Sequence, residues 1–414
     1  MELKAFCDAM GFSSDAQVIL LPQWHDAVAT SGELPDFLSD EYIVKYYPLS
    51  HGDPALLEPL LEVAAVARAN PAAKLYAWVL YRGFFLADPG NLRKMPLPEK
   101  VFGERAGLFQ FLVALGGFPR IEAACQKLGI PHEYVVEMGR WLGGTIKIFE
   151  SGHQGLPGHH LGQTHWMRHY MDGQLFRIGR FEYLIHSQPD WSPAIYRRKA
   201  DGQALALCRD GWLLDADGYR TADANGLKVT LELRDGQIHG TPITPLGRAL
   251  PDKRLALDLN EWEAMATPWD WVPSVHIPVG GGMTPEIALE SLREAKKFFR
   301  KYFNRDIRLF VCGSWILNPD WEQELPDSNL AKFMRMLYLV PAYLSSGRDG
   351  LFFIFGRDQD EDWSNYPADN SMRRAFHRIR ESGRKLRSNG MFVFADDLDR
   401  LDDGFYRNHW NIKI

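Results

Sequence analysis

The hydrophobic pattern of the chain changes near residue 150, and this change limits the folds available to it. Before it, apolar residues recur every three or four positions, as in LLEPLLEVAAVAR at 56–68 and KLYAWVLYRGFF at 74–85. This periodicity predicts amphipathic helices. After it, segments rich in β-branched and aromatic residues are separated by Asp-Gly and Asn-Gly turns, which predicts strands. We therefore expect an α+β protein with a helical domain at 1–150 and a mixed α/β domain at 151–414.

The mixed domain divides into two sections. The first, with strands predicted at 175–186, 204–214 and 227–233 and a short one near 240, has the pattern of an antiparallel meander. From residue 274 onward strands and helices alternate. Strands are predicted at 274–279, 307–317, 351–355 and 391–394, and helices at 285–303, 329–337 and 371–386.

Bulk properties narrow the class of partner. The formal net charge of -6 opposes binding to a polyanion, so we expect no nucleic-acid partner. A helix, a Gly-Ile-Pro turn and a second helix at 121–141 have the outline of a helix-turn-helix. The second helix, HEYVVEMGRW, carries glutamates where a base reader needs Arg, Lys or Asn, so a simple helix corner is the preferred interpretation.

The cysteines and the apolar segments indicate a compartment. Four cysteines lie far apart in sequence, without a CxxC pair or a zinc-ligand spacing, and are expected to be reduced thiols. The first residues lack a basic segment followed by an apolar one, and the longest apolar stretches are interrupted by charge. These features predict a cytoplasmic protein with no membrane span. The sequence does not indicate an oligomeric state.

The sharpest local signal is SVHIPVGGGMTPE at 274–286, a strand that runs into three glycines and then into a helix. Thr284 at the N-cap and Pro285 in the first turn are a strong helix start. Glycines let a ligand approach the backbone, and the helix N-terminus favours a phosphate. The segment is neither a P-loop nor a GxGxxG fingerprint, and a tight structural turn remains the alternative.

The order of these elements resembles that of GNAT acyltransferases. In detail, LFRIGRFEYLIH, HIPVGGGMTPEIALESLREAKKFF, FVCGSWILNPDWEQELPDSNLAKF and NSMRRAFHRIRESGRKL resemble bacterial proteins that have an N-acyltransferase N-terminal domain followed by a GNAT-like C-terminal domain. The resemblance covers nearly the whole chain. It implies a transferase that uses acetyl-CoA or another acyl-CoA as co-substrate and needs no metal.

The resemblance also implies where acyl-CoA would bind. Two parallel strands, at 274–279 and 307–317 here, splay apart so that the pantetheine arm pairs with a strand edge and the pyrophosphate lies on the glycine loop. The implied cofactor-binding residues are Ile277, Val279, Gly280, Gly281, Gly282, Met283 and Thr284. GNAT proteins ordinarily have Gln or Arg three residues before the first loop glycine, where this chain has Ile277.

Acyl transfer needs a base, a donor that polarises the carbonyl, and often an acid for the leaving thiolate. His276 lies on the predicted first splayed strand, and the usual imidazole pKa of about 6.5 suits a general base. Ser314, on the second strand, is a candidate hydrogen-bond donor near the thioester. Tyr338 lies in the region where the resemblance implies the acid. For each of the three, a packing role is the alternative.

Three other groups of residues compete for a functional role. Cys312 or Ser314 with His276 would make a hydrolase, although no GxSxG elbow surrounds the serine. Four histidines at 159–169 form a candidate metal cluster, but HWMRH lacks the Glu of HExxH, and lining or surface roles are preferred. The basic helix at 371–387 would bind a phosphate or pair with the acidic runs at 358–362 and 396–403.

The sequence therefore predicts an acyl-CoA-dependent acyltransferase that acts on an amine or hydroxyl of a small molecule. The alternative is a ligand-binding or regulatory protein that keeps the GNAT scaffold without turnover. The atypical residue before the glycine loop and the lack of a clear acid–base pair motivate that alternative.

Overall fold

The structure of the protein is a computed structural model that describes residues 1–31, 35–187, 192–266, 270–280, 282–342, 344–356 and 362–412. The chain forms two compact units. The first contains Met1–Arg177 and Pro278–Gly280, and the second contains Ile178–Ile277 and Gly281–Ile414. The first is helical and the second is built on a mixed sheet, so the predicted α+β class is confirmed.

The first unit consists of helices joined by short turns. The helices are Leu3–Met10 (α1), Ser14–Ala29 (α2), Asp40–Tyr46 (α3), Leu57–Ala69 (α4), Pro71–Tyr81 (α5), Glu99–Phe102 (α6), Ala106–Leu115 (α7), Phe118–Lys127 (α8), His132–Gly152 (α9), Leu161–Thr164 (α10) and Met167–Met171 (α11). Short 3-10 segments occupy Asp36–Leu38, Tyr47–Ser50, Pro54–Leu56, Gly90–Lys94 and Gly103–Arg105, and a π turn occupies Arg82–Leu86. The helices predicted at 56–68 and 74–85 are α4 and α5 with its π turn.

Helix α7 is the centre of this unit, because every one of its ten residues is buried. It belongs to the stretch Glu99–Lys127, which has the length and the mean hydropathy, 1.2, of a membrane-spanning helix. Within the described residues this is the one such stretch, and 72% of its most apolar window is buried inside the protein. That burial is what the core helix of a globular unit shows.

The long helix α9 approaches another part of the backbone closely through two glycines. A Cβ at Gly139 would lie 2.1 Å from the carbonyl oxygen of Leu49, and one at Gly143 would lie 2.1 Å from that of Ser50. Only glycine permits such contact between a helix and the Tyr47–Ser50 turn. Helices α8 and α9, the two arms of the helix-turn-helix outline, therefore form a packed corner of the first unit.

The first unit extends beyond the boundary predicted at residue 150. That position falls inside α9, and the units divide between Arg177 and Ile178. The Gly- and His-rich segment after α9 is bonded to α7, since His159 N donates to Gly107 O at 3.1 Å and Leu161 N donates to Gln110 Oε1 at 3.2 Å. The amino-acid composition changes at this segment, but these hydrogen bonds join the segment to the helices of the first unit.

His159 is the most deeply enclosed member of the histidine cluster. Its Nδ1 is 2.7 Å from Thr145 Oγ1 and its Nε2 is 3.0 Å from Thr164 Oγ1, so both ring nitrogens are engaged by hydroxyls. Burial, with a smaller contribution from His160, lowers the pKa of His159 to about 3. The imidazole is therefore neutral in the folded protein at ordinary pH and acts as a structural bridge.

This neutral histidine predicts a loss of stability in acid. Between pH 6.5 and about 3, His159 is protonated in the unfolded chain but not in the folded chain. The contribution of His159 to the unfolding free energy is therefore complete above pH 6.5 and falls by about 1.4 kcal/mol per pH unit below it. We expect the urea unfolding free energy of the wild type to fall by about 1 kcal/mol more than that of His159→Gln between pH 7 and pH 5.5. His25→Gln, at an exposed position, is the matched control and should follow the wild type. Equal pH slopes for wild type and His159→Gln would contradict the assignment.

The chain passes from the first unit to the second within the strand Leu175–Ile178 (β1). The remaining strands are Phe181–Ser187 (β2), Ala194–Arg198 (β3), Ala204–Leu207 (β4), Leu213–Leu214 (β5), Leu227–Lys228 (β6), Leu231–Arg234 (β7), Gln237–Gly240 (β8), Pro242–Thr244 (β9), Arg248–Ala249 (β10), Leu255–Asp258 (β11), Trp262–Ala264 (β12), Trp271–His276 (β13), Leu309–Ser314 (β14), Tyr338–Val340 (β15) and Asn389–Phe394 (β16). The helices are Pro285–Phe303 (α12), Pro319–Glu324 (α13), Asn329–Arg335 (α14), Leu351–Phe355 (α15), Ser371–Glu381 (α16) and Phe405–Asn408 (α17), with 3-10 turns at Trp315–Leu317 and Trp363–Asn365.

The main sheet has six strands in the order β1-β2-β13-β14-β16-β15. Strands β13 and β14 are parallel, whereas β2 with β13, β14 with β16, and β15 with β16 are antiparallel. The strands between β2 and β13 form separate sheets, β10-β9-β4-β3-β12 with five strands and β11-β8-β7 with three. The predicted single meander was therefore wrong: only its first segment joins the main sheet, and the rest is an insertion.

Helix α12 follows its predicted bounds. Thr284 Oγ1 accepts a hydrogen bond from Ile287 N at 3.4 Å, and Pro285 occupies the first turn. The face that it buries consists of Ala288, Ser291, Leu292, Ala295, Phe298 and Phe299. By contrast, the strand predicted at 351–355 is helix α15, enclosed by Gly350 at φ 91° and Gly356 at φ 69°. A five-residue apolar run does not distinguish a strand from a buried helical turn.

Candidate functional site

The two central strands of the main sheet are joined at one position. Strand β13 pairs with β2, and β14 with β16, through six residues each. Between β13 and β14 the single recorded partner pair is Ser274 with Val311. Strands β13 and β14 are therefore the parallel neighbours at the centre of the sheet, and the glycine loop and α12 follow the first of them in the chain.

Helix α12 identifies one face of this sheet. The Tyr183 hydroxyl of β2 lies 2.8 Å from Ser291 Oγ of α12, and the Tyr183 ring centre lies 5.8 Å from that of Phe310 of β14. These side chains therefore share the α12 face. Since side chains alternate along a strand, Cys312 and Ser314 of β14 lie on it as well.

His276 lies on the opposite face. Its neighbour Val275 is paired with Tyr183 on the α12 side, and the next side chain along a strand points the other way. His276 is half-buried and stands directly opposite Glu182 of β2. The predicted pair of His276 and Ser314 is thus divided between the two faces.

The surroundings of Ser314 and Cys312 on β14 indicate structural roles for both residues. Ser314 accepts a hydrogen bond from Ile316 N at 3.4 Å, as the cap of the following 3-10 turn. Cys312 is buried, and burial raises the pKa of its thiol to about 12. A thiol must ionise to act as a nucleophile, so this environment does not fit the hydrolase hypothesis.

Tyr338 lies on β15, separated from β13 by β14 and β16. Its side chain is fully buried, and its hydroxyl donates to Ile243 O and accepts from Ala206 N at 3.4 Å. Both partners belong to the five-stranded sheet of the insertion, so the hydroxyl joins that sheet to the main one. Burial raises the pKa of Tyr338. This position does not fit the predicted proton donor, because the phenol is enclosed and hydrogen-bonded to the insertion.

The glycine loop connects β13 with α12. Gly280 has φ 90°, in the left-handed region, and a Cβ built on Gly280 or on Gly282 meets no atom within 4 Å. The loop is therefore open to a ligand along its glycines. Met283 is buried behind it and Thr284 caps the helix.

The other predicted cofactor-binding residues have less defined surroundings. Val279 is 41% exposed, Ile277 is half-buried, and Gly281 lies outside the described residues. Their role in binding stays a prediction.

A cation that the sequence reading missed lies at this loop. Arg180 Nε donates to the carbonyl oxygen of Gly282 at 3.1 Å. The segment 175–186 read as one strand, but the chain turns at Gly179, with φ 60°, and Arg180 sits at the tip of that turn. Gly179 followed by Arg180, within the run predicted as one strand, was the sequence feature that could have indicated this turn. Ile277 cannot supply a charge before the loop, whereas Arg180 places one beside it.

The two other candidate groups have structural explanations. Within the described residues no group of three His, Cys, Asp or Glu side chains is placed to hold a metal ion. Arginines of α16 and of the segment after it pair with carboxylates of several other segments, whereas the predicted acidic run at 358–362 lies, apart from Asp362, outside the described residues. These pairs are Arg373 with Asp369, Arg378 and Arg384 with Glu324, and Arg387 with Asp215.

A parallel strand pair whose first strand is followed by a glycine loop and a capped helix places the second unit in the class of GNAT-like folds. Residues 175–392 match the GNAT-like C-terminal domain family, and this is more than half of the chain, which therefore belongs to that family. No curated protein matches the chain in sequence.

Solved structures resemble the chain over nearly its full length. One is an acyltransferase in complex with decanoyl-CoA and teicoplanin, with a TM-score of 0.60 and 19% identity, over 95% of this chain and 100% of that chain. A second is an acyltransferase mutant in complex with octanoyl-CoA, with a TM-score of 0.59 and 19% identity, over 95% and 99% of the two chains. At this identity the likeness shows a shared fold.

The environment of Tyr338 predicts a stability effect. Tyr338→Phe leaves a buried carbonyl and a buried amide without their hydroxyl partner, which should cost about 1–3 kcal/mol of unfolding free energy. Tyr76→Phe is the matched control, because that hydroxyl is buried without a hydrogen-bond partner among the described residues and its removal should cost less. Urea denaturation of both variants compares them. An equal or smaller loss for Tyr338→Phe would argue against the bridging role.

Proposed function

We propose that the protein transfers an acyl group from an acyl-CoA to an amine or hydroxyl of a small molecule. The observation that carries the proposal is the free space at Gly280 and Gly282, in the loop that joins the parallel strand β13 to the capped start of α12. Membership of the GNAT-like family and the acyl-CoA complexes of the structurally similar acyltransferases support it.

The residues present fit the chemical groups of an acyl-CoA. The pantetheine arm carries amides, which backbone groups of β13 and β14 next to the loop would bond. The pyrophosphate would lie on Gly280 and Gly282, where no side chain competes for space, at the positive end of the α12 dipole. Arg180, fixed to the loop through Nε, adds positive charge at the same place.

The chemistry needs one proton to be moved. The acceptor nitrogen or oxygen forms a bond to the acyl carbon, the bond from that carbon to sulfur breaks, and the acceptor proton balances the thiolate of free CoA. His276 is the last residue of β13, before the glycine loop, and would take that proton. We assign no separate acid, because Tyr338 is enclosed.

The acceptor is proposed at the level of its class. The structurally similar acyltransferases in complex with teicoplanin support a small-molecule acceptor. The net charge of -6 makes nucleic acid a poor partner. The four cysteines are free and buried, which agrees with the proposed cytoplasmic location.

Charge at the loop provides the test of CoA binding. We expect decanoyl-CoA or acetyl-CoA to raise the melting temperature of the wild type, since a ligand of the folded state stabilises it. Gly282→Glu should abolish the shift by placing a carboxylate where phosphate binds. Gly282→Gln is the control of nearly equal size and should keep part of the shift. No shift of the wild type with any acyl-CoA would overturn the proposal.

Arg180 extends the same experiment. Arg180→Ala should weaken acyl-CoA binding about tenfold by calorimetry, the size expected for a charge-assisted hydrogen bond to phosphate. Binding of the matching acyl-pantetheine, which has no pyrophosphate, should not change. Arg234→Ala removes an exposed arginine of β7 and is the control. Equal losses for both ligands would assign Arg180 to folding rather than to phosphate.

Turnover separates the enzyme from the non-catalytic alternative. Release of CoA thiol, followed with a thiol-reactive dye, should accelerate when an acceptor amine is added to enzyme and acyl-CoA. A panel of amines and their hydroxyl counterparts identifies the acceptor class. Tight acyl-CoA binding without acceptor-dependent thiol release, throughout the panel and at both pH 7 and pH 8.5, would favour a binding protein.

A further inference from the structure

We infer that Arg220 and Arg248, in the insertion of the second unit, bind an anionic group of the acceptor, a carboxylate or a phosphate. This inference deepens the proposed acyl transfer, because it names a property of the acceptor, and it rests on that function for its kinetic consequence. The sequence did not indicate the two arginines as a pair, since they lie far apart in the chain and meet only through the fold of the insertion.

Arg220 is a half-buried cation without a carboxylate partner among the described residues. Its Nη1 donates to Ala342 O at 2.5 Å, and its guanidinium carbon lies 4.3 Å from the centre of the Trp212 ring. Its Nε is enclosed and has no hydrogen-bond partner among these residues. Burial lowers the pKa of Arg220. The Cys208 thiol, which also acts on it, is kept neutral because burial raises the pKa of that thiol to about 12.

Arg248 approaches the same turn of the insertion from strand β10. Its Nε donates to the Tyr219 hydroxyl at 3.1 Å, and the neighbouring Ala249 N donates to Gly218 O at 3.0 Å. This half-buried guanidinium has a phenol rather than a carboxylate as its described side-chain partner. Since Tyr219 directly precedes Arg220 in the chain, both guanidinium groups belong to the surroundings of one turn.

The carboxylates around this turn are bonded to other arginines. Asp215 pairs with Arg387, whose guanidinium carbon lies 4.3 Å from the centre of the Tyr219 ring. The pKa of Tyr219 is raised by burial and, in smaller part, by Asp320, which pairs with Arg384 at 3.3 Å. With these pairs neutral, the two remaining guanidinium groups keep their positive charge, in a chain whose net charge is negative. Half-buried charge without a counterion destabilises a folded protein, and an anion from outside compensates for it.

The fold places this cluster at the edge of the main sheet where β14 ends and β16 begins. Ala342, which accepts from Arg220, follows β15 by two residues. Arg387 precedes β16 by two residues, and the β15–β16 ladder runs up to the pair of Val340 with Gly390. The two segments therefore leave the sheet side by side, and each carries a contact of the cluster to this edge.

His276 lies at the same edge. It is the last residue of β13, and the parallel neighbour β14 ends at Ser314, which pairs with Asn389 at the start of β16. Neighbouring strands lie about 4.8 Å apart, so β13 and β16 are about 10 Å apart at this edge. An acceptor that reaches both His276 and the cluster needs its nucleophile and its anionic group about 10–15 Å apart. The inference therefore selects long acceptors with a terminal negative charge over short ones.

The first measurement does not depend on turnover. Inorganic phosphate is the probe, and Gly282→Glu is the background, because a carboxylate on the glycine loop opposes phosphate binding there. At constant ionic strength, about 20 mM phosphate in place of chloride should raise the melting temperature of this variant by about 2 °C. The shift should disappear when Arg220→Gln or Arg248→Gln is added. No shift in the background, or an unchanged shift in both double variants, would overturn the inference.

Arg198→Gln, in the same background, is the matched control. Arg198 also belongs to the insertion and lies over a tryptophan, with its guanidinium carbon 5.4 Å from the centre of the Trp262 ring, but its charge is balanced by Asp201. Phosphate also stabilises proteins without binding to a site, and this variant should keep the full shift of the background. An equal loss of the shift in Arg198→Gln would assign the effect to a weakened insertion and would refute the inference.

The second measurement uses acceptors of different length. A series of ω-amino carboxylates with about 4 to 12 carbons spans the required separation, and the matching amides carry no charge. At the best length, kcat/KM of the wild type should be about 10- to 100-fold higher for the carboxylate than for its amide. Arg220→Gln should remove this preference mainly through KM of the acceptor, and Arg220→Lys should recover part of it. ω-Aminoalkyl phosphates, measured in parallel, distinguish a phosphate from a carboxylate.

The outcomes separate this inference from the proposed function. Equal kcat/KM for charged acceptors and amides at every length, in a wild type that turns over, would overturn the inference and leave the function intact. A preference that survives in both Arg220→Gln and Arg248→Gln would do the same. If the wild type releases no thiol with any acceptor, the proposed function fails, while the phosphate-dependent melting shift still decides whether the two arginines bind an anion.

Discussion

The second unit depends on one constraint, that its two central strands are parallel and joined at a single pair of residues. Each strand is held on its other side by a full antiparallel ladder, β13 by β2 and β14 by β16. Because the two strands are parallel, the chain has to cross from the end of β13 to the start of β14, and the glycine loop and the capped helix α12 make this crossover. The loop therefore follows directly on the central strand that carries His276.

The two faces of this sheet carry different chemistry. On the α12 face, Tyr183 and Ser291 share a hydrogen bond, and Cys312 is held in its neutral form by burial. On the opposite face Glu182 of β2 stands across from His276 of β13 in the strand register. His276 and Ser314 therefore lie on different faces of the sheet. This division explains why Ser314 has a structural role, although its position along β14 is close to that of His276 along β13.

Sequence reading succeeded where structure is locally encoded. Thr284 and Pro285 predicted the start of α12, and the helix follows because cap and first turn need no distant partner. It failed for the LFFIF run at 351–355, where glycines at both ends close a helical turn. It failed also for the strands after β2, since hydrogen-bond partners of a strand are chosen by the whole fold. The predicted α+β class was right, whereas the predicted pairing of these strands in a single meander was not.

The sequence by itself determined the α+β class and the glycine loop with its helix, because periodicity, caps and glycines act over a few residues, and its resemblance to known proteins indicated the GNAT-like family. Only the tertiary structure decided which side chains meet. It enclosed Tyr338 beneath the insertion, brought Arg180 to the carbonyl of Gly282 across 102 positions of sequence, and placed Glu182 opposite His276. Such contacts depend on strand register and chain reversal, and a shift of one residue in register would move every side chain of a strand to the other face.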